Sequence, residues 1–291
     1  MLMHVSRWLK WSFILPGLLI IFFVVIYPTG YLIYYSFTDY SLDKPLVKFV
    51  GIENYLKTLR DAFFVNSLYV TIRFVLMTVP IEFVLGLGLA LCLTSIRNQK
   101  LLAFIQPLSV APVMLTPVVV GMLWLILVNP DYGLVNTFLK SLRISPIPFV
   151  SDPFWAPIIV AVVDIWQWTP FFLLLSVAGI YSIRQELVEA AQIDGASGWK
   201  LFRYITFPMI SPLLLFALLI RLIDAFKIYD IIYIMTYGGP GISTEVISFR
   251  IWKIAFLERN IGYASAWGIF LLIMMILLAN LLIVTIRRMR L

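Results

Sequence analysis

Glu186-Leu-Val-Glu189-Ala-Ala-Gln-Ile-Asp194-Gly195-Ala-Ser-Gly198-Trp-Lys-Leu-Phe202-Arg-Tyr-Ile-Thr-Phe-Pro208-Met-Ile-Ser-Pro212 is the longest polar interval in the second half of the chain, with long apolar runs on both sides. Glu189, Ala190 and Ala191 are good helix formers, and Gly195 ends that helix or opens a turn. Leu201, Phe202, Ile205 and Phe207 then set an apolar stripe at helical spacing, with Lys200 and Arg203 beside it. Pro208 is where this second helix is expected to stop or bend. The small residues Ala190, Ala191, Gly195, Ala196, Ser197 and Gly198 leave room for another body to pack closely. The pattern predicts a short helix, a glycine turn and a second short amphipathic helix, the build of a docking elbow.

The 291 residues are 62% hydrophobic and 13% charged, with a mean hydropathy of +0.98. A soluble domain carries about 25% charged residues. So few charges cannot cover a soluble surface of this size, and the surrounding solvent is largely lipid. Residues 1–291 read as a single all-α transmembrane domain with a cytoplasmic loop over 181–212. The net charge of +7 suits a face near anionic lipid. The basic residues are spread among apolar spans rather than gathered in a stripe, which argues against nucleic acid. Cys92 is the only cysteine, so no disulfide forms within the chain, and it reads as a small buried hydrophobe. His4 is the only histidine, which excludes a multi-histidine metal site.

Six apolar runs, near 12–37, 68–93, 102–128, 154–180, 213–237 and 263–286, each approach the ~20 residues that a bilayer needs. Pro107, Pro112 and Pro117 predict a bent or broken third span. Gly86, Gly88 and Ala90 are expected to form one small-residue face suited to close helix packing. A short interfacial helix is expected near Asn54–Leu59, a turn at Asn129–Gly133 followed by a polar loop to Asp152, and a turn at Gly238–Gly241. Six spans put both termini on one side. Arg97 and Lys100 in a short turn, and Arg287, Arg288 and Arg290 abutting the last span, place that side in the cytoplasm.

Glu189-Ala190-Ala191, Asp194-Gly195-Ala196, Phe202, Ile205, Pro208 and Pro212 resemble the EAA loop of ABC importer permeases, the membrane subunits of binding-protein-dependent uptake systems. Arg221 to Tyr233, Thr236 to Gly241, Phe49 to Tyr55, the Asn129–Gly133 turn and Gly262 to Ala266 look like the carbohydrate-uptake branch, so the resemblance covers nearly the whole chain. Arg184 departs from it, standing where the family commonly has proline, which bears on the entry angle of the first loop helix. The resemblance implies a type I importer fold with both termini cytoplasmic, in a bacterial or archaeal inner membrane. It implies a second, different permease chain, two ATPase subunits holding ATP and Mg, and a periplasmic or extracellular solute-binding protein. The cargo it implies is a sugar, an oligosaccharide or a sugar-like polyol phosphate. Glu189, Ala190, Ala191, Asp194, Gly195 and Ala196 would couple to the ATPase, and no cofactor would bind this chain.

A P-loop needs a Gly-Lys pair, and the chain has none, so ATP hydrolysis belongs to another subunit. Charges within spans are costly and are functional candidates. Arg221, Asp224, Lys227 and Asp230 alternate in sign at i,i+3, a spacing that puts them on one helical face as a self-neutralising ladder. Asp224, Lys227 and Asp230 are also candidates for the substrate path, as are Trp166 and Gln167, whose side chains are of types able to stack on and hydrogen-bond a sugar. Glu82 and Asp164 are expected to face the bundle interior. The rival reading is an ion- or proton-coupled secondary transporter that uses Asp224 and Lys227 as a relay. A membrane enzyme is poorly supported by one histidine and one cysteine.

Overall fold

The computed structural model describes residues 7–289 apart from positions 45 and 97, with side chains described over 11–284 apart from 45, 97 and 99. His4, Arg97 and Arg290 lie outside the described residues, as do the side chains of Arg7, Lys10, Arg287 and Arg288. Among the described residues five helices are long and apolar enough to cross a membrane: Trp11–Ser36, Ala62–Ser95, Trp155–Tyr181, Trp199–Met235 and Ile261–Val284. The helices Gln99–Met114 and Pro117–Leu127 meet at a 102° bend and make the sixth, broken span. The proline-dense third run thus folds as its composition predicts.

The chain divides into two compact units, Met1–Phe64 with Arg250–Met274, and Val65–Phe249 with Met275–Leu291. In the first, Asn54 donates its side-chain amide to the carbonyls of Ser36 (3.0 Å) and Thr38 (2.8 Å), anchoring the short helix Glu53–Arg60 beneath the end of the first span. Gly262 lies against the Thr38 carbonyl so closely that a β-carbon has no room. Tyr263 donates to Asp61 at 2.7 Å, and fully buried Trp267 meets Phe64 edge-on at 4.9 Å. Two stretches far apart in sequence, Phe49–Tyr55 and Gly262–Ala266, therefore build one corner.

In the second unit Trp155–Tyr181 is central. It is 56% buried over its most apolar window, against 39% for Ala62–Ser95 and 28% for Trp199–Met235. Both arms of the bent span and the fifth span pack on it. Gly86 permits the second span to touch it: an added β-carbon would sit 2.5 Å from Phe172 Cβ and 2.8 Å from the Thr169 carbonyl. Ala90, one turn on, is fully buried. Gly88 does not share this face and has open space around it, because residues two apart point to opposite sides of a helix. Cys92 is likewise exposed rather than buried.

Other expectations are corrected. The loop before Asp152 contains a helix, Leu134–Ser141, whose buried Asn136 donates to the Val128 and Ile147 carbonyls at 2.9 and 3.1 Å. Another helix, Ile247–Trp252, precedes the last span. The second elbow helix does not stop at Pro208. It widens into a π turn over Phe202–Thr206, where the Phe207 N–H bonds Phe202 O, and runs on to Phe226. Pro208 lacks an N–H, and the widened turn spares it the clash an α-helix would impose. The first span repeats the device: Tyr27 N–H bonds Phe22 O immediately before Pro28.

Gly86→Ala is expected to lower stability by about 1–3 kcal/mol through overpacking, whereas Gly88→Ala is expected to be neutral or to stabilise by about 0.4–1 kcal/mol. Thermal unfolding of the two purified variants in detergent checks both signs.

Candidate functional site

The elbow begins at Arg184, whose φ of −62° and ψ of 127° are values that proline adopts. Arginine here keeps the entry angle that a proline would impose. The helix Gln185–Ile193 follows, with Glu186 in its first turn and no buried residue. Gln185 donates to the Glu189 carboxylate at 2.7 Å. The helix closes with Ala196 N–H on Ala191 O at 2.8 Å and Gly195 N–H on Gln192 O at 3.1 Å. These paired bonds need a left-handed residue after the cap, and Gly195 supplies it at φ +84°. Asp194 is the cap residue between them. Beside this turn stand Ile193 at 86%, Trp199 at 72% and Tyr204 at 75% exposure. Ala190 is exposed with them, and Ala191 and Ala196 are half-buried.

The second group of polar residues is buried. Arg221, on the helix Phe207–Phe226, grips Glu82 of the second span with Nε to Oε2 at 2.7 Å and Nη2 to Oε1 at 2.9 Å. The same Nη2 donates to Asp164 of the fourth span, and Nη1 donates to Asp224 at 3.2 Å. The guanidinium lies 4.9 Å from the Trp168 ring. Glu82, Asp164 and Arg221 are 0%, 1% and 1% exposed. The expected four-charge ladder on one helix does not form. The helix ends at Phe226, Lys227 is its cap, and Asp230 opens a new helix, Asp230–Met235. Only Arg221 and Asp224 pair as i,i+3 neighbours. Glu82 and Asp164 face inward as expected, and Arg221 is the partner that the sequence did not reveal. The signal was present in three charges that fall in three different apolar runs.

Asp224, Lys227 and Asp230 nevertheless meet at one cavity of about 90 Å³, bounded also by Asp164, Trp168, Arg221, Tyr229 and Pro117. Lys227 and Asp230 are exposed. Trp166 points elsewhere. It meets Trp124 edge-on at 5.9 Å in a wider groove of about 460 Å³ with Ser109, Pro112 and Thr169. Gln167 is buried and donates its amide to Leu115 O at 3.0 Å, at the vertex of the broken third span.

Six spans, one of them broken, a surface elbow between the fourth and fifth, and a charged cavity beside the break at Lys227–Tyr229 define a multi-pass membrane transport subunit. The model of binding-protein-dependent transport system inner membrane components matches residues 82–289, and the chain belongs to that family. It is 36% identical over 257 residues to the trehalose/maltose transport system permease protein MalF of Thermococcus litoralis, covering 87% of this chain and 84% of that one. Identity is 32% to the sulfoquinovosyl glycerol transport system permease protein SmoG of Agrobacterium fabrum, over 91% and 89% of the two chains. It is also 32% to that organism's sn-glycerol-3-phosphate transport system permease protein UgpA, over 79% and 78%. A crystal structure of a bacterial ABC transporter that imports the acidic polysaccharide alginate contains a chain of the same fold, with a TM-score of 0.86 at 23% identity over 97% and 96% of the two chains. The fold is that of a type I importer permease, and family membership favours this reading over an ion-coupled carrier. The chain is a transporter membrane component rather than an enzyme.

Arg221→Ala strands two buried carboxylates, and a loss of about 3–5 kcal/mol is expected. Arg221→Lys is expected to recover little of it, because an ammonium lacks the fork that grips Glu82. Combining Arg221→Met with Glu82→Gln and Asp164→Asn is expected to recover most of the stability. The monodisperse fraction and the unfolding temperature in detergent rank the variants.

Proposed function

We propose that this chain is one permease of an ATP-driven importer that receives a sugar, an oligosaccharide or a sugar-like polyol phosphate from an external binding protein and passes it to the cytoplasm. The observation that carries the reading is the elbow. Its helix has no buried residue, its glycine turn is fully hydrogen-bonded, and large apolar side chains stand exposed beside it. Such a surface is built to be covered by another protein. Glu189, Ala190, Ala191, Asp194, Gly195 and Ala196 form the part that enters the ATPase, with Glu189 and Asp194 offered to its basic groups. Lys200 and Arg203 meet lipid headgroups or acidic residues of the partner.

The assembly has a second permease chain, different from this one, two ATPase subunits, and a solute-binding protein. It sits in the cytoplasmic membrane of a bacterium or archaeon, with both termini of this chain in the cytoplasm. ATP and Mg are held by the ATPase subunits. Closure of that pair moves the elbow, and because its second arm continues into the span Trp199–Met235, the movement reaches the charged break at Lys227–Tyr229. Asp224, Lys227 and Asp230 line the substrate path and hydrogen-bond hydroxyl or phosphate groups, Trp166 stands in a separate groove and would meet cargo only there, and Gln167 holds the bend of the third span. The cargo class is supported by the names of the relatives, which cover disaccharide, glycoside and polyol phosphate transport.

The test is ATP hydrolysis by the reconstituted importer, stimulated by loaded binding protein, for wild type against Glu189→Ala combined with Gly195→Pro. Proline cannot adopt the φ of +84° found at position 195. Stimulation is expected to disappear, or the ATPase to fail to co-purify, with the permease still folded. Unchanged stimulation and uptake would remove the elbow from the coupling path.

A further inference from the structure

The cavity beside the break in the fifth span is unequally charged. Asp164, Asp224 and Asp230 border it together with Arg221 and Lys227, and Glu82 stands behind Arg221. Carboxyls outnumber cations by four to two in this group. The excess stays acidic even with a proton on one of the buried carboxyls. The two cations also differ in what they can offer. Every nitrogen of the Arg221 guanidinium already donates: Nε and Nη2 to Glu82, Nη2 also to Asp164, and Nη1 to Asp224 at 3.2 Å. Arg221 is 1% exposed, so its charge is enclosed by carboxylates and does not reach the open part of the cavity. The groups that do reach it are Asp230 and Lys227, which are exposed, and Asp224, whose side chain keeps 44% of its surface. Arg221 engages Asp224 through Oδ2 alone, which leaves Oδ1 as an acceptor.

We infer that this cavity is a charge filter, which passes uncharged, hydroxyl-rich cargo and turns back phosphorylated and other anionic cargo. The inference rests on the importer reading above and narrows its cargo. A sugar hydroxyl donates to a carboxylate, so Asp224 and Asp230 accept from it, and the Lys227 ammonium donates to a hydroxyl or ring oxygen. A phosphate monoester at neutral pH brings negative charge and acceptor oxygens. In this cavity it meets two carboxylates that repel it and one exposed ammonium that attracts it. Pores for phosphate and other anions are lined by Arg or Lys, the opposite balance. The case for a phosphate site would rest on Arg221, and that guanidinium is occupied by Glu82, Asp164 and Asp224.

The sign of the cavity is read with a thiol in place of Ile228, which lines it. In the assembled importer with Cys92→Ser and Ile228→Cys, this chain carries a single thiol. Its rates of reaction with a cationic and with an anionic methanethiosulfonate are each divided by that reagent's rate with free 2-mercaptoethanol, and labelling of this chain is followed by mass spectrometry. The cationic reagent is expected to be favoured about tenfold, the order of focusing in a cleft of one sign. Adding Asp224→Asn and Asp230→Asn is expected to abolish the preference. Tyr229→Cys, on the same cavity, replaces Ile228→Cys if that variant does not assemble or does not react. Equal rates, an anionic preference, or a cationic preference that survives the two asparagines would overturn the filter. Uptake into proteoliposomes supplies the second arm, with radiolabelled maltose, trehalose and sn-glycerol 3-phosphate as probes. Import of sn-glycerol 3-phosphate as fast as either sugar would overturn the filter and leave the importer reading standing. Failure of the importer reading itself shows elsewhere, as ATP hydrolysis that loaded binding protein does not stimulate, and the thiol rates do not depend on it.

Discussion

The grip of Arg221 on Glu82 and Asp164 is the constraint on which the second unit depends. Between helices in lipid, apolar contact adds little, because the tails are as apolar as the side chains. Close packing and polar links must hold the spans. Here one guanidinium joins three of them, with both nitrogens of a fork engaged by Glu82. The fork orients the fifth span about its own axis, which a point charge cannot do. Asp224, one turn beyond Arg221, is drawn back to it, and the helix stops two residues later at Phe226.

Proline handling is the second theme. Pro28 and Pro208 each follow an aromatic residue whose N–H reaches back five residues instead of four. A widened turn lets the helix pass through proline without a gap. At Pro208 this has a mechanical result. The elbow's second arm and the fifth span become one helix from Trp199 to Phe226, so the surface turn and Arg221 are joined by continuous backbone.

Much of this was legible in the residues. Length and apolarity located the spans, three prolines located the broken one, and Gly195 located the turn. What was hidden follows from the period and from distance. The four alternating charges gave a faultless i,i+3 pattern, yet that pattern assumes an unbroken helix, and nothing local in Lys227-Ile-Tyr229 announces the break. The pairing of Arg221 with Glu82 crosses 139 positions, and no local rule ranks it above the neighbour three residues away. Gly88 looked equivalent to Gly86 because composition ignores which side of a helix a residue occupies. The helix Leu134–Ser141 was missed because its polar residues suggest a loop. Asn136 shows why they are there: its amide satisfies backbone carbonyls on both sides of the turn.

The two interruptions lie together. Pro117, first residue of the outer arm of the broken third span, borders the same cavity as Lys227, Tyr229 and Asp230. That arm packs on the helix Asp230–Met235, where Gly121 allows Ile234 to within 3.1 Å of the place a β-carbon would take. Non-helical backbone at membrane depth is tolerated only where protein or a water-filled cavity satisfies it. Gln167 meets part of that demand at Leu115, and the Ser248 hydroxyl meets another part at the Ile228 carbonyl. Each break is thus supported from a neighbouring segment. Charged side chains beside the two breaks, Asp164, Arg221, Asp224, Lys227 and Asp230, line one small space and make it polar. A route for a hydroxylated cargo requires that polarity, and unbroken apolar helices do not supply it.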